Sequence, residues 1–218
     1  MILNRLSILL AERNLRATRV SVETGIARST LSSLVNNDSK MIQIETINTL
    51  CEFLKIPPSD FFDYLPFDLV PKILLSDFII DGVEYSGNSG LITDIYNFTA
   101  ELFIQKKQNG NEKDIIEMDT HFINNPAKNP YGSEYEYFIS FSKHSNEDLS
   151  KLKKLRKEIG PTFFTALEKS VKITLKEEIK KQIEKISEEA VNNHDLSNLD
   201  YFNSLADNFE VDVSLETS

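Results

Sequence analysis

The spacing of apolar residues is helical through the first 66 positions of the chain. Apolar residues three and four positions apart predict five helices, over residues 2–13, 17–24, 28–36, 44–54 and 59–64. Ile2 and Ile44 are expected on the inner faces of the first and fourth helices. Pro57 and Pro58 separate the last two helices. We therefore expect an N-terminal all-α five-helix domain over residues 1–66.

From residue 67 the pattern changes to short apolar segments separated by turn residues. Alternating apolar residues predict strands within residues 91–105, 114–122 and 134–142. Asn109-Gly110 lies between the first two of these segments and is a strong signal for a β-hairpin. We expect a small antiparallel sheet that forms a β-rich domain over residues 67–143.

Helical spacing returns over residues 147–159 and 162–192, on either side of Gly160-Pro161, although residues 171–175 also alternate as a strand would. Residues 195–218 are sparse in helix formers, and a strand is predicted at 209–215. Residues 144–218 are expected to form a helical C-terminal region that serves dimerisation or partner binding. Together with the sheet they make an α+β C-terminal region, as one domain or two.

Residues 17–37 contain two short helices joined by a glycine. Gly25 can adopt the positive φ that such a turn requires, and Ile26 follows it as a buried residue. Leu31, Leu34 and Val35 give the second helix an apolar face. Two short helices joined by a tight turn that contains glycine form a helix-turn-helix.

The outer side of the second short helix carries Arg28, Ser29, Ser32 and Ser33. Arginine can bind guanine through two hydrogen bonds, and serine can bond to several bases or to phosphate. The side chains therefore suit a helix that lies in the major groove of DNA. The alternative is an ordinary helical hairpin inside a helical domain.

The segment V-S-V-E-T-G-I-A-R-S-T-L-S-S-L-V-N-N, with Leu6 and Leu9 on the preceding helix, resembles the lambda-repressor/Cro-like (Xre family) DNA-binding domain. The resemblance covers roughly residues 1–66. It is carried by Val20, Thr24, Gly25, Ile26, Ser29, Thr30, Leu31, Ser32, Leu34 and Asn36. It implies that Arg28, Ser29 and Ser33 face base edges, with Ser32 at the margin. The candidates for phosphate contacts are Thr18, Arg19, Asn36 and Lys40.

Three positions depart from the family pattern. Ala17, with Thr18 beside it, stands where the family usually has a glutamine that contacts the DNA backbone. Ser21 replaces a small alanine between the helices. Asn37 replaces the common closing glycine and tolerates a left-handed conformation nearly as well. The missing glutamine puts one phosphate contact in doubt.

The formal net charge of −10 over 218 residues argues against indiscriminate binding to nucleic acid. Residues 1–40 nevertheless contain six cationic and three anionic side chains, whereas residues 41–66 contain one and four. We therefore expect binding to depend on specific contacts and on dimerisation more than on general attraction to phosphate.

The sequence offers no constellation for enzymatic chemistry. It contains no glycine-rich phosphate loop, no G-x-S-x-G and no H-E-x-x-H. Asp119 and His121 could place two metal ligands on one strand face, but a surface pair is the expected reading. The chain has no Ala-Gly dipeptide at which some phage repressors cleave themselves. We expect a protein that is not an enzyme and has no cofactor or metal.

Three features of the C-terminal region have more than one interpretation. An apolar stripe is either a dimer seam or the core-facing side of a helix: Phe164, Leu167, Val171, Ile179, Ile183 and Ile186. The cationic face over residues 151–157 could touch DNA, but a solvated helix face is the expected reading. The aromatic residues Tyr135, Tyr137, Phe138 and Phe141 are expected in the sheet core rather than as a stacking platform.

The resemblance implies a sequence-specific DNA-binding repressor like those of phages and mobile genetic elements. We expect it to bind a palindromic double-stranded DNA operator as a homodimer, with relief by a ligand or an inducing (antirepressor) protein at the C-terminal region. The single Cys51 and the absence of any apolar run of 18 residues suit a cytoplasmic protein without a membrane segment. The alternative is an antitoxin-like or other protein-interaction module that carries a helix-turn-helix.

Overall fold

The computed structural model describes residues 1–39, 41–84, 91–123, 135–192 and 199–216. It divides into a first unit, Met1–Asp68, and a second unit, Leu69–Ser218, each compact. Within the described ranges, no helix has both the length and the apolar character needed to cross a membrane.

The first unit contains short helices around one apolar core. Its elements are β1 (Ile2–Asn4), α1 (Leu6–Glu12), α2 (Ala17–Thr24), α3 (Arg28–Val35), α4 (Ile44–Leu54), α5 (Pro58–Phe61) and β2 (Phe62–Tyr64). The fully buried side chains of this core are Leu6, Val20, Leu31, Leu34, Leu50 and Phe61. Cys51 is buried among them as a free thiol, and burial raises the pKa of that thiol.

The prediction of an all-α five-helix domain is wrong, because the first unit also contains a two-stranded sheet. Its strands β1 and β2 pair antiparallel, with Ile2 opposite Tyr64 and Asn4 opposite Phe62. The predicted first helix starts later because the side-chain oxygen of Asn4 accepts the N–H of Leu6, which favours a helix start after Asn4. Ile2 lies 64% exposed as a result, so its expected place on an inner helix face is also wrong.

The fifth predicted helix ends at Phe61 instead of residue 64, and Phe62–Tyr64 is the partner strand. Ile44 opens α4 but lies 81% exposed, so its assignment to the inner face is wrong as well. The apolar period identified the helix correctly, but the first turn of α4 extends beyond the core.

The second unit is built on a five-stranded sheet in the order β3-β4-β5-β6-β7. The strands are β3 (Asp68–Glu84), β4 (Leu91–Gln108), β5 (Asn111–Ile123), β6 (Tyr135–Lys143) and β7 (Phe209–Leu215). The chain between β6 and β7 forms α6 (Asn146–Asn192) and α7 (Leu199–Asn208). A sheet combined with helices fits the expected α+β character of this region.

The predicted small antiparallel sheet is wrong in its size and in its topology. Strands β3 and β4 are 17 and 18 residues long, well above the usual five or six. β6 and β7 are parallel, with Tyr137 opposite Val211. Parallel neighbours need a long crossover connection, and α6 with α7 provides it. The antiparallel hairpin of β4 and β5 closes through Asn109 (φ 52) and Gly110 (φ 78), as predicted.

The interruption predicted at Gly160-Pro161 is confirmed, since Gly160 has φ 70 and ψ 176 inside α6. The strand predicted at residues 209–215 is also confirmed as β7. In contrast, α7 was not expected, because residues 199–208 are poor in strong helix formers. Leu205 of α7 is fully buried, and α7 packs against α6, so tertiary contacts stabilise this helix.

Candidate nucleic-acid interface

The turn between α2 and α3 is fixed by its own hydroxyl groups. Gly25 follows α2 with φ 73, and its N–H donates to the carbonyl oxygen of Ser21 over 3.0 Å. The Ser21 hydroxyl donates to the carbonyl oxygen of Ile26 over 2.7 Å, which joins the first helix to the residue after the turn. The Thr24 oxygen accepts the N–H of Ile26 over 3.3 Å. These bonds hold the backbone of the turn in one conformation.

The buried and exposed faces of α3 are clearly separated. Leu31 and Leu34 are fully buried, and they pack in one core with Val20 of α2. Arg28, Ser29 and Ser32 are exposed on the other side of the helix. The apolar face anchors α3 in the core and leaves its polar face open to a partner.

The four side chains predicted to contact bases differ in their exposure and in their partners. Ser33 is only half-buried and its hydroxyl oxygen lies 2.9 Å from that of Ser39. In the described part of the chain, no carboxylate oxygen lies within 4.0 Å of the Arg28 guanidinium. Thr30, to which the sequence pattern assigns no DNA contact, is also exposed on α3. The base contacts of Arg28, Ser29, Ser32 and Ser33 stay predictions.

The candidate phosphate contacts lie around the ends of α2 and α3. Thr18 is exposed in the first turn of α2, and Asn36 is exposed at the C-terminal end of α3. Arg19 is already paired, since its Nε lies 2.5 Å from Glu23 Oε1, and this hydrogen bond raises the pKa of Arg19. Arg19 would have to share or leave Glu23 to bind phosphate. Lys40 lies outside the described residues.

The start of α2 offers a physical substitute for the missing family glutamine. Arg16 precedes the helix in an extended conformation and makes no side-chain cap. The N–H groups of the first turn of a helix lack partners within the helix and bind anions readily. In α2 the N–H of Arg19 already bonds to the carbonyl oxygen of Arg16 over 2.9 Å, so the N–H groups of Ala17 and Thr18 are the candidates to bind a phosphate oxygen.

A pair of asparagines holds the C-terminal end of α3, and the sequence pattern indicated only one of them, Asn37. Asn37 has φ 55, and its Oδ1 accepts the N–H of Asn4 over 2.9 Å. Asn37 Nδ2 donates to the carbonyl oxygen of Asn4 over 3.1 Å, so the bonding is reciprocal. Asn4 Nδ2 also donates to the carbonyl oxygen of Leu34 over 2.9 Å, and Asn4 is only 4% exposed.

This Asn4–Asn37 pair connects β1 to the helix that carries Arg28. In the sequence, Asn4 stands out only as a single amide between Leu3 and Leu6. Nothing in that pattern indicates its partner, which lies 33 positions away. Because buried amides need partners, the pair fixes where α3 ends relative to β1.

The apolar stripe of α6, for which a dimer seam is one interpretation, lies mainly inside one chain. Phe164, Leu167, Val171, Ile179 and Ile183 are all buried in the second unit, and Ile186 is half-buried. That is the burial expected of a core-facing helix side. The dimer-seam role stays a prediction, and it would require these side chains to leave their present contacts.

The two residues considered as metal ligands, Asp119 and His121, each contact another side chain of the second unit. Asp119 Oδ2 lies 2.7 Å from His144 Nδ1, and His121 Nδ1 lies 3.1 Å from the Thr99 hydroxyl. Within the described ranges, no three His, Cys, Asp or Glu residues are grouped as a metal site requires.

The aromatic residues of β6 follow the alternation of the strand. Tyr137 and Phe141 are buried in the sheet core, as expected, but Phe138 is 74% exposed, so its assignment to the core is wrong. The side chain of Tyr135 lies outside the described part of the chain.

The geometry of α2, the Gly25 turn and α3 defines a helix-turn-helix DNA-binding domain. A family model described as the Cro/C1-type HTH DNA-binding domain matches residues 5–66. The uncharacterized HTH-type transcriptional regulator YozG of Bacillus subtilis (strain 168) is 32% identical over 63 residues, which are 29% of this chain and 75% of that protein. The chain belongs to the Cro/C1-type, Xre-like family of helix-turn-helix regulators.

A solved structure also matches part of the chain. It is a crystal structure of a Bacteroides fragilis protein proposed to bind DNA, with 24% sequence identity and a TM-score of 0.27. The match covers 29% of this chain and all of that one.

Proposed function

We propose that this protein is a sequence-specific repressor of a phage or mobile genetic element that binds a palindromic operator as a homodimer. The supporting observation is the exposed polar face of α3, on which Arg28, Ser29 and Ser32 stand opposite a fully buried apolar face. Arginine and serine on a helix of this kind are suited to read base edges in the major groove. We assign the chain no catalytic step.

Dimerisation is proposed because one helix-turn-helix reads only a short half-site. The net charge of −10 leaves little general attraction to phosphate, so affinity has to come from specific contacts. Two recognition helices related by a two-fold axis double those contacts. They demand an operator with half-sites about 34 Å apart, one turn of the double helix.

The second unit is proposed to receive the inducing signal, either from a small ligand or from an antirepressor protein. It forms the larger part of the chain and contains its own sheet and core. A regulatory role for it accounts for a chain much longer than the domain that binds DNA.

The test is selection of genomic fragments by the purified full-length chain at about 150 mM salt, close to physiological ionic strength. We expect enrichment of one palindromic site. Arg28→Ala should cost about 1–3 kcal/mol of binding free energy and relax the preference at one base pair of each half-site.

Arg13→Ala provides the matched control, because Arg13 is an exposed arginine of the same unit that already bonds to the carbonyl oxygen of Leu9. It should leave the selected sequence unchanged. An equal loss of affinity on every DNA sequence would show that Arg28 holds only phosphate. If the wild-type chain selects no sequence and instead binds a partner protein, the antitoxin-like alternative is correct.

A further inference from the structure

The second unit contains a cleft of about 430 Å³ between its sheet and the first part of α6. The floor is apolar and consists of Leu69, Ile104, Ile116 and Leu155, all of them buried side chains. A volume of this size lies in the range of small-molecule sites, which combine an apolar lining with a few polar groups.

Charged side chains line the rim of the cleft. Lys106 Nζ binds both carboxylate oxygens of Glu158, at 2.8 and 2.9 Å. Lys151 Nζ lies 3.6 Å from Asp114 and 3.1 Å from Glu147. Lys154 also lines the cleft, and within the described ranges no carboxylate oxygen lies within 4.0 Å of its ammonium group. Glu147 does not itself line the cleft, so the lining contains three lysines and two carboxylates, Asp114 and Glu158, and has one more cation than anion.

The surface around the cleft carries further positive charge. The same stretch of α6 exposes Lys153, Arg156 and Lys157, although the chain as a whole has a net charge of −10. A concave site with low-dielectric walls and an excess of one sign of charge around it concentrates ligands of the opposite sign. The cationic face noted in the sequence thus has a cleft with an apolar floor beside it.

We propose that this cleft binds a small organic anion with an apolar body. The acid group, a carboxylate, sulfonate or phosphate, lies against Lys154 and Lys151, and the apolar body covers Ile104, Ile116 and Leu155. A DNA backbone would meet the lysines but would leave the apolar floor uncovered, so the observations favour the small anion.

The binding itself does not depend on the proposed repressor function, but a role for the anion as inducer rests on it. Leu69, which contributes to the floor, is the first residue of the second unit and follows Asp68 of the first unit directly. The segment that enters the cleft wall is therefore the segment that leaves the DNA-binding unit along the chain.

The first experiment titrates the full-length chain with 1-anilinonaphthalene-8-sulfonate, an amphipathic anion, and follows its fluorescence. N-phenyl-1-naphthylamine has the same apolar body without the sulfonate and serves as the neutral control. We expect saturable binding of the sulfonate to one site per chain and binding of the neutral probe at least about tenfold weaker, which corresponds to about 1.4 kcal/mol. Equal affinity for both probes, or no saturable binding, would overturn the proposal.

Variants of α6 locate the site. Lys154→Gln should weaken binding of the sulfonate about fivefold to tenfold, whereas Lys154→Arg retains the charge and most of the affinity. Lys157→Gln removes an exposed cation of the same helix that does not line the cleft and should change the affinity by less than about twofold. Lys154 and Lys157 are both exposed, so we expect all three variants to fold. An equal effect of Lys154→Gln and Lys157→Gln would show only general attraction to a cationic helix face and would contradict the proposed site.

A further titration separates this inference from the proposed function. If the chain has an operator, saturating sulfonate should weaken operator binding, and Lys154→Gln should shift the required concentration upward. Unchanged operator affinity at saturation would overturn the inducer role. A chain that binds the sulfonate through Lys154 but selects no operator would refute the repressor and retain the anion site.

Discussion

The contacts that shape the two units span very different distances along the chain. In the helix-turn-helix, the Ser21 hydroxyl reaches Ile26, five positions away, and Arg19 reaches Glu23, four positions away. In the second unit, Ser140 and Ser214 of the parallel strands β6 and β7 meet across 74 positions. The helix-turn-helix is thus specified mainly by local chemistry, whereas the sheet of the second unit also depends on pairing between distant segments.

The first unit also has contacts between distant segments: β1 pairs with β2, and the Asn4–Asn37 pair connects β1 to the end of α3. This pair joins residues 33 positions apart at the C-terminal end of α3. A local motif therefore supplies the helix-turn-helix, and contacts of β1 with distant residues set the end of α3 relative to the rest of the unit.

The largest expected effect comes from a residue of the long-range core. Ile179 of α6 is fully buried, so Ile179→Ala should lower the free energy of unfolding of the second unit by about 2–5 kcal/mol, measured in urea. Ile173→Ala, on the same helix but 49% exposed, should cost less than about 1 kcal/mol. A variant Ile179→Ala that unfolds like the wild type but dissociates a dimer would show that the stripe is a subunit interface.

The next effect concerns the long-range pair of the first unit. Asn4→Ala removes bonds to Asn37, Leu34 and Leu6 and should destabilise α3 by about 2–3 kcal/mol, since buried groups lose their partners. Hydrogen exchange of the α3 amides measures this opening energy. Asn48→Ala removes an exposed amide bonded to Glu52 and is the control. Equal protection of α3 in both variants would mean that the pair does not hold the helix.

A smaller effect distinguishes the turns of the two units. Gly25 and Gly110 have φ 73 and φ 78, and among the described residues only their own chain neighbours lie within 4 Å of the position of an added Cβ. Alanine at either position should therefore cost only the left-handed backbone penalty, about 1–2 kcal/mol of unfolding free energy. Only Gly25→Ala should also weaken operator binding, because it disturbs the joint between α2 and α3. Loss of operator binding in Gly110→Ala would contradict this separation.

The smallest effect is a dependence on pH in the second unit. Asp119 raises the pKa of His144 through a hydrogen bond and through its charge. The two residues lie 25 positions apart in the chain. The pair's contribution to stability is therefore complete below the ordinary imidazole pKa of about 6.5 and is lost as the pH rises through the raised value. An NMR titration should show the pKa of His144 falling toward its ordinary value in Asp119→Asn. An unchanged pKa in that variant would assign the shift to another group.

Signals between neighbouring residues predicted the turns, the helix break and the positions of several helices. Gly25, Asn109-Gly110 and Gly160-Pro161 mark a helix joint, a hairpin and a helix break, because each requires a backbone conformation that its residue type favours. The spacing of apolar residues predicted the bounds of α3 and α4 to within one residue. It also predicted that the face of α3 with Arg28 is exposed.

What the sequence did not predict depends on partners far along the chain. Ile2–Asn4 forms a strand because Phe62–Tyr64 lies opposite, and β7 is parallel to β6 because helices connect them. Asn4 has a partner only once β1 and α3 are in place, and α7 exists because Leu205 is buried against its neighbours. Periodicity and turn chemistry report on neighbours in sequence, so they carry no information about these pairings.

The parallel pairing of β6 and β7 also sets an order of events during protein synthesis. β7 can join the sheet only after the ribosome has made α6 and α7, which lie between it and β6 in the chain. The first unit, Met1–Asp68, has by then had time to fold, since domains fold largely as units from the N-terminus while the chain is still growing. The nascent protein therefore acquires its DNA-reading helix well before the sheet of its second unit is complete.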